Sequence, residues 1–409
     1  MFSDKPNICP ACNSNIWSHK SNCPVLKRIL LQHKLKQNYI KKELFGSTPP
    51  SIIVGEWNYP KVNVGILLPN ETGNTTIYDS PKEWYKQKFT IEDVFNLRLK
   101  LYNAKNTFDK KINDKKIETI QEIAAASMPT DTEIKLSKNP FFALHLNPFT
   151  APYGPTGDFE QIKIVENTKI DRKVDYIISD VDLKAEQAVK ILYDDYDVYN
   201  ITKLLSAGLL GVKKQRKLVP TRWAITAIDS ILIKDMLRSI KQFDSISDHM
   251  LFQSNYMGNY FNILLIPEKW MFEVIEIAVP GATWMSSKNP IIVNDYEFYE
   301  GRKDYAADVA GGYYAAELAI LEYLSSIKKQ AGVLVVREIR PEYYAPVGVW
   351  KVRECIRDAF SKKPLVIKGI DEFFEIVDKQ FIIKSDEWKR KSKILQFIKN
   401  QKRIFSFLK

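Results

Sequence analysis

Short apolar runs of strand length recur along this chain between stretches of helical spacing, and they follow no regular strand–helix–strand alternation. That pattern excludes a doubly wound parallel sheet and predicts a mixed α and β (α+β) body. The runs Ile52-Ile53-Val54 and Val62 to Leu68, around a turn at Gly55 to Pro60, read as a hairpin-like pair. Tyr260 to Val279 reads as a strand pair and Ala331 to Ile339 as a buried strand. Helical spacing marks Ile91 to Tyr102, Ile117 to Ser127, Asp182 to Leu192, Trp223 to Phe243 and the small-residue segment Ala306 to Lys329. Asn139 to Thr156 reads as an ordered loop, and Trp350 to Ala359 fits either strand or helix. With 409 residues, 45% of them apolar, the chain is long enough to fill such a core. No stretch reaches the roughly 18 to 20 apolar residues of a membrane span, and no signal sequence is seen, so a cytoplasmic protein without a membrane partner is expected.

The net charge of +11 is concentrated at the two ends. Residues 1–45 carry eight Lys/Arg against Asp4 and Glu43, and residues 384–409 carry nine against Asp386 and Glu387, which leaves 46–383 slightly acidic. Three regions are therefore expected: a small module with a basic helix (Pro24 to Leu44) over 1–45, one large central domain over 46–383, and a basic helix with a flexible tail over 384–409. Clustered lysine and arginine favour a polyanion, because neutralising phosphates releases counterions.

Each end carries a motif. Cys9, Cys12, His19 and Cys23 offer four soft or borderline ligands within fifteen residues, the donor set of a structural zinc knuckle, with His33 as a possible substitute for His19. The plain alternative is stray thiols and a surface histidine. At the other end Gln401-Lys402-Arg403-Ile404-Phe405-Ser406-Phe407-Leu408 follows the pattern Q-x-x-aliphatic-x-x-aromatic-bulky. In a 3₁₀-like turn Ile404, Phe407 and Leu408 form one apolar plug while the Gln401 amide seats separately, which is the docking mode of a peptide for the DNA sliding clamp (PCNA). The alternative is that these residues fold back onto the body.

Three internal segments hold candidate site residues. Ser206 to Thr226 contains two glycines, then Lys213, Lys214, Arg216 and Lys217, with Thr221 placed to cap a helix beginning near Arg222. This suits a phosphate, and equally a solvated basic loop. Arg302, Lys303, Asp304 and Asp308 precede a stretch of small residues. Arg337-Glu338 and Arg353-Glu354 interrupt apolar runs, where charges are usually paired; an ion-pair network is favoured over an anion site.

Taken together the chain resembles the archaeal Nre family of DNA repair proteins. The resemblance rests on residues 49 to 65 (Pro-Pro-Ser-Ile-Ile-Val-Gly-Glu-Trp-Asn-Tyr-Pro-Lys-Val-Asn-Val-Gly), Gln121-Glu-Ile-Ala, Asp131-Thr-Glu-Ile, Leu205 to Trp223, Gly312-Tyr-Tyr-Ala-Ala and Pro346-Val-Gly-Val-Trp. It implies a zinc-bearing N-terminus, a clamp-interaction motif at the C-terminus, and a nucleoid-associated role in tolerating DNA damage. His19 stands where the family commonly has cysteine. Two functions follow. Either the body binds a nucleotide or a damaged DNA end and processes a phosphoester or glycosidic bond, with Asp304, Asp308, Arg337 and Glu338 as catalytic candidates, or it is a non-catalytic adaptor that joins DNA, clamp and another repair protein.

Overall fold

The computed structural model describes residues 14, 15, 18, 23, 26, 30, 41–111, 114–142, 154–282 and 289–400. They fall into two compact units, one within His19–Leu232 and the other chiefly Ile233–Lys409. Cys9, Cys12, His19, His33 and Gln401 to Leu408 lie outside the described residues.

In the first unit the chain runs β1 (Glu43–Thr48), β2 (Ile52–Val54), β3 (Lys61–Pro69), α1 (Pro81–Lys86), α2 (Ile91–Leu99), β4 (Leu101–Asp109), α3 (Lys115–Ala125), β5 (Thr130–Leu136), β6 (Thr156–Ile164), α4 (Arg172–Ser179), α5 (Ala185–Tyr193), α6 (Val198–Ser206) and α7 (Thr221–Ile240), the last shared with the second unit. The sheet order is β1-β5-β6-β4-β3-β2, antiparallel except where β4 meets β6. The expected hairpin forms, with Ile52 opposite Ile66 and Val54 opposite Val64. Helix starts follow their capping residues. Thr90 accepts the Asp93 amide while Asp93 returns a bond to the Thr90 amide, and Asp197 receives the amides of Tyr199 and Asn200. One expectation needs correcting: Leu44 belongs to β1, not to a helix. Leu44 is buried opposite Ile134 of β5, and such cross-strand burial overrides a helical reading.

The second unit continues with β7 (His249–Tyr256), β8 (Asn259–Ile266), β9 (Met271–Ala278), β10 (Ile291–Glu297), α8 (Gly311–Ile327), β11 (Gly332–Ile339), α9 (Trp350–Phe360), β12 (Leu365–Ile367), α10 (Ile370–Gln380), α11 (Ser385–Trp388) and α12 (Lys393–Asn400). Its sheet order is β10-β9-β11-β8-β7-β12. β8 and β9 are both strands, as expected, but they do not pair with each other. β11 lies between them, parallel to β9 and antiparallel to β8. Every residue of β11 is buried, and a strand covered on both faces and apolar over most of its length gains most at the centre of a sheet. The ambiguous segment at Trp350 is helical.

One face of this sheet packs Leu264, Ile275, Leu334 and Val336 against Phe373, Val377, Trp388 and Ile394, so the basic run as far as Asn400 is anchored in the core. Glu273, fully buried, seats that run. It accepts the Lys393 and Ile394 amides at 2.9 and 3.1 Å, satisfying orphan donors at the start of α12. The opposite face carries α8 and α9, where Phe252 meets the rings of Tyr323 and Phe360, and Phe272 meets Tyr313.

Candidate functional site

On the face under α8 and α9 several inward positions are polar. Glu276, Arg337 and Asn259 lie toward the carboxyl end of the parallel pair β9 and β11, whereas Asp295 and Glu297 stand opposite Val274 and Phe272, toward the amino end of β9. Successive inward residues place Asp295 and Glu297 on β10, Glu276 on β9, Arg337 on β11 and Asn259 at the start of β8. The result is a seam of charge between sheet and helices. In α/β sheets the carboxyl ends of parallel strands beside a helix N-terminus are where ligands bind.

At the centre of the seam Arg337 and Glu276 stand opposite each other in register and form an ion pair. Arg337 also donates from Nε and Nη2 to Asn259 Oδ1, at 3.0 and 2.6 Å. Lys351, at the start of α9, is fully buried, with its Nζ 3.7 Å from the centroid of the Tyr343 ring. Burial, reinforced by the charge of Arg337, holds its pKa well below the ordinary lysine value of 10.5. The start of α8 closes the seam. Ala310, just before it, sits at φ 55° and ψ −135°, a conformation costly for a residue with a Cβ.

Farther along, Arg302 donates to Asp295 Oδ1 at 2.9 Å and to the Tyr296 carbonyl at 2.7 Å. The second Asp295 oxygen accepts the amides of Asp308 and Val309, at 3.0 and 2.8 Å, ordering the approach to α8. Glu297 is hydrogen-bonded to Trp270 Nε1 at 2.7 Å and also to Glu317. Burial raises the Glu297 pKa, with the Trp270 bond and the charge of Lys241 opposing in part. Two buried carboxyl groups in contact favour sharing a proton.

Most of the candidate residues are engaged in structural bonds. Glu338, fully buried, pairs with Arg340 at 2.7 Å and accepts the Ile383 amide at 2.9 Å. Glu354 pairs with Arg357 at 2.8 Å, and Arg357 with Glu322 at 2.5 Å. Asp304 and Asp308 are exposed. In the first unit Arg216 donates to the carbonyls of Gly211, Ile178 and Asp180 at 2.7, 2.8 and 2.8 Å, tying the basic loop to the end of α4. Burial lowers its pKa, with Asp180 opposing. Lys213, Lys214 and Lys217 remain exposed around it. Thr221 does not cap a helix beginning near Arg222: α7 opens at Thr221 itself, and the hydroxyl instead accepts the Val54 amide at 2.9 Å. Arg222 and Trp223 both donate to Glu56, at 3.3 and 3.1 Å.

The first unit also holds a cleft of about 210 Å³ lined in part by Asp79, Lys82, Tyr196, Asp197 and Lys203. Burial opposes ionisation of Asp79, yet Lys203 and Arg98 outweigh it and hold its pKa low. Among the described residues no cluster of three or more metal-ligating side chains occurs. Sequence reasoning missed Glu276, Lys351, Asn259 and Asp295. Glu276 carried the same signal as Arg337, a charge inside an apolar run; Lys351 carried none.

Fold and site thus define an α+β protein of two sheets, with a buried charged seam in the second unit. Residues 18–285 match the family described as Archaeal Nre, N-terminal, and residues 297–407 match Archaeal Nre, C-terminal. The chain is 36% identical to the DNA repair protein NreA of Archaeoglobus fulgidus over 93% of this chain and 95% of the relative. It is 33% identical to the DNA repair protein NreB of the same organism, over 95% and 97%. With the DNA repair protein NreA of Haloferax volcanii it shares 36% identity over 81% of each chain. The chain belongs to the archaeal Nre family. No solved structure matches it, and no helix among the described residues is long and apolar enough to cross a membrane.

Proposed function

We propose that this chain is a DNA repair factor delivered to DNA by the sliding clamp (PCNA), with a body that binds a nucleotide or a damaged DNA end. The observation that carries the reading is near full-length similarity to proteins named for DNA repair, in a chain with the pattern Gln401, Ile404, Phe407 and Leu408. The cationic side chains of Lys384, Arg390, Lys391, Lys393 and Lys399 are exposed on the anchored run that precedes this peptide, which suits contact with phosphates beside the clamp. Cys9, Cys12, His19 and Cys23 would hold a structural zinc ion; Cys23 is only 2% exposed, in keeping with a closed site, and the soft donor set fits the metal.

The body's chemistry would be cleavage of a phosphoester or glycosidic bond. A second reading, the non-catalytic adaptor that recruits other repair proteins, is favoured by the way Arg216, Arg302 and Glu338 are engaged in internal bonds. Co-elution of the full chain with the sliding clamp tests the delivery step. Phe407→Ala should abolish it, and undiminished binding by that variant would refute the proposal.

A further inference from the structure

Lys351 stands apart from the paired charges around it. It is fully buried, and its amine has no hydrogen-bond partner among the described residues. The Tyr343 ring face is a weak substitute for an acceptor. Its charged neighbours are Arg337 and Glu276, with the Cys355 thiol beside them. Glu276 is already paired with Arg337, so a protonated Lys351 is one positive group more than the cluster can neutralise. Burying such an amine without a counter-ion is costly, and a fold that keeps one has a use for it.

The position says what the counter-ion is. α8, seventeen residues long, begins with Gly311 and Gly312, whose amides precede the first intrahelical bond, while the Tyr313 amide already donates to the Ala310 carbonyl at 3.1 Å. A Cβ on Gly311 would come within 3.2 Å of Val349 Cγ1, so the start of α8 lies against the residue preceding α9. A Cβ on Gly312 would stand 3.5 Å from Glu276 Oε1, so the carboxylate rests at the positive end of α8 while it pairs with Arg337. Glu276 thus occupies the place of a ligand anion. With 17% of its side chain exposed against 8% for Arg337, it also marks the way in.

We infer that Lys351, Arg337 and the first turn of α8 form a binding site for a terminal phosphate, which displaces Glu276 from Arg337 and gives Lys351 its counter-ion. Charge counting selects the phosphomonoester. With Glu276 displaced, two cations face the site. A monoester brings nearly two negative charges at neutral pH, whereas an internal phosphodiester brings one. The phosphate belongs either to a free mononucleotide or to a DNA 5′ end, a choice of sources that rests on the proposed role of the body in DNA repair.

The test uses the full chain without the clamp, so the outcome is independent of clamp binding. Affinity is measured by calorimetry for AMP and for a 5′-phosphorylated oligonucleotide, with the same oligonucleotide bearing a 5′-hydroxyl as the control for non-specific contact. AMP, the phosphorylated end or both should bind in a phosphate-dependent way; the responding probe identifies the source. Lys351→Met should weaken that binding about tenfold or more, the loss expected for a charge-assisted bond. The same variant, free of ligand, should be at least as heat-stable as the wild type. Glu276→Gln, which loosens the internal competitor, should bind more tightly. The inference is overturned if neither probe binds in a phosphate-dependent way, if Lys351→Met retains full affinity, or if Glu276→Gln binds more weakly. Loss of stability in ligand-free Lys351→Met would also overturn it, by making the lysine structural.

Discussion

Replacing Arg337 by methionine removes the cation at the centre of the seam while keeping most of the side-chain volume. The Glu276 carboxylate then loses its ion-pair partner, and Asn259 Oδ1 loses two donors, at 3.0 and 2.6 Å. Breaking a buried pair from one side costs about 3 to 5 kcal/mol. Because 17% of the Glu276 side chain is exposed, water recovers part of that loss, and the low end, about 3 kcal/mol, is expected. Native-state hydrogen exchange reads the effect within the second unit alone. At about 1.4 kcal/mol per tenfold change, the slowest β11 amides should exchange roughly a hundredfold faster. Replacing both partners, Arg337→Met with Glu276→Met, leaves no stranded charge and should recover at least about half of the loss. A single variant within about threefold of the wild-type rate, or a double variant less stable than the single, would refute the reasoning.

Three further outcomes follow from the structure. Glu297 has a raised pKa in the folded state, so its contribution to stability is fully present below the ordinary value of 4.5 and is lost as pH rises through the higher folded value. Glu297→Gln keeps an acceptor for Trp270 and should flatten the corresponding fall in melting temperature above pH 4.5; an unchanged pH profile would count against the assignment. Arg216→Met should destabilise the first unit by about 2 kcal/mol, since three partly buried carbonyls lose a charged donor; exchange of the α4 amides measures this. Cys9→Ala should lower zinc content in elemental analysis from about one equivalent per chain, while wild-type protein purified without zinc would remove the metal from the account.

The strand runs were legible because a continuous apolar stretch such as Ala331 to Val336 has few homes other than a sheet centre. Its partners were not, since parallel pairing with β9 is set by the crossover through α8, and no local pattern encodes that distance. The segment from Trp350 defied assignment for a related reason. Lys351, Arg353 and Glu354 are buried along with its apolar residues, which blurs the one-sided period of an amphipathic helix. Arg302 and Arg337 could be singled out as charges near or within apolar runs. A lone lysine on a helix gives no such contrast, and only its depth distinguishes Lys351.

The central claim, a repair factor that works where the sliding clamp takes it, is tested most directly in living cells. A host strain lacking this chain is complemented with the wild type or with Phe407→Ala, and survival after DNA damage is scored. The account predicts that the wild type restores survival and Phe407→Ala does not, although the two proteins accumulate equally. Full rescue by Phe407→Ala, or no defect in the strain lacking the chain, would contradict it.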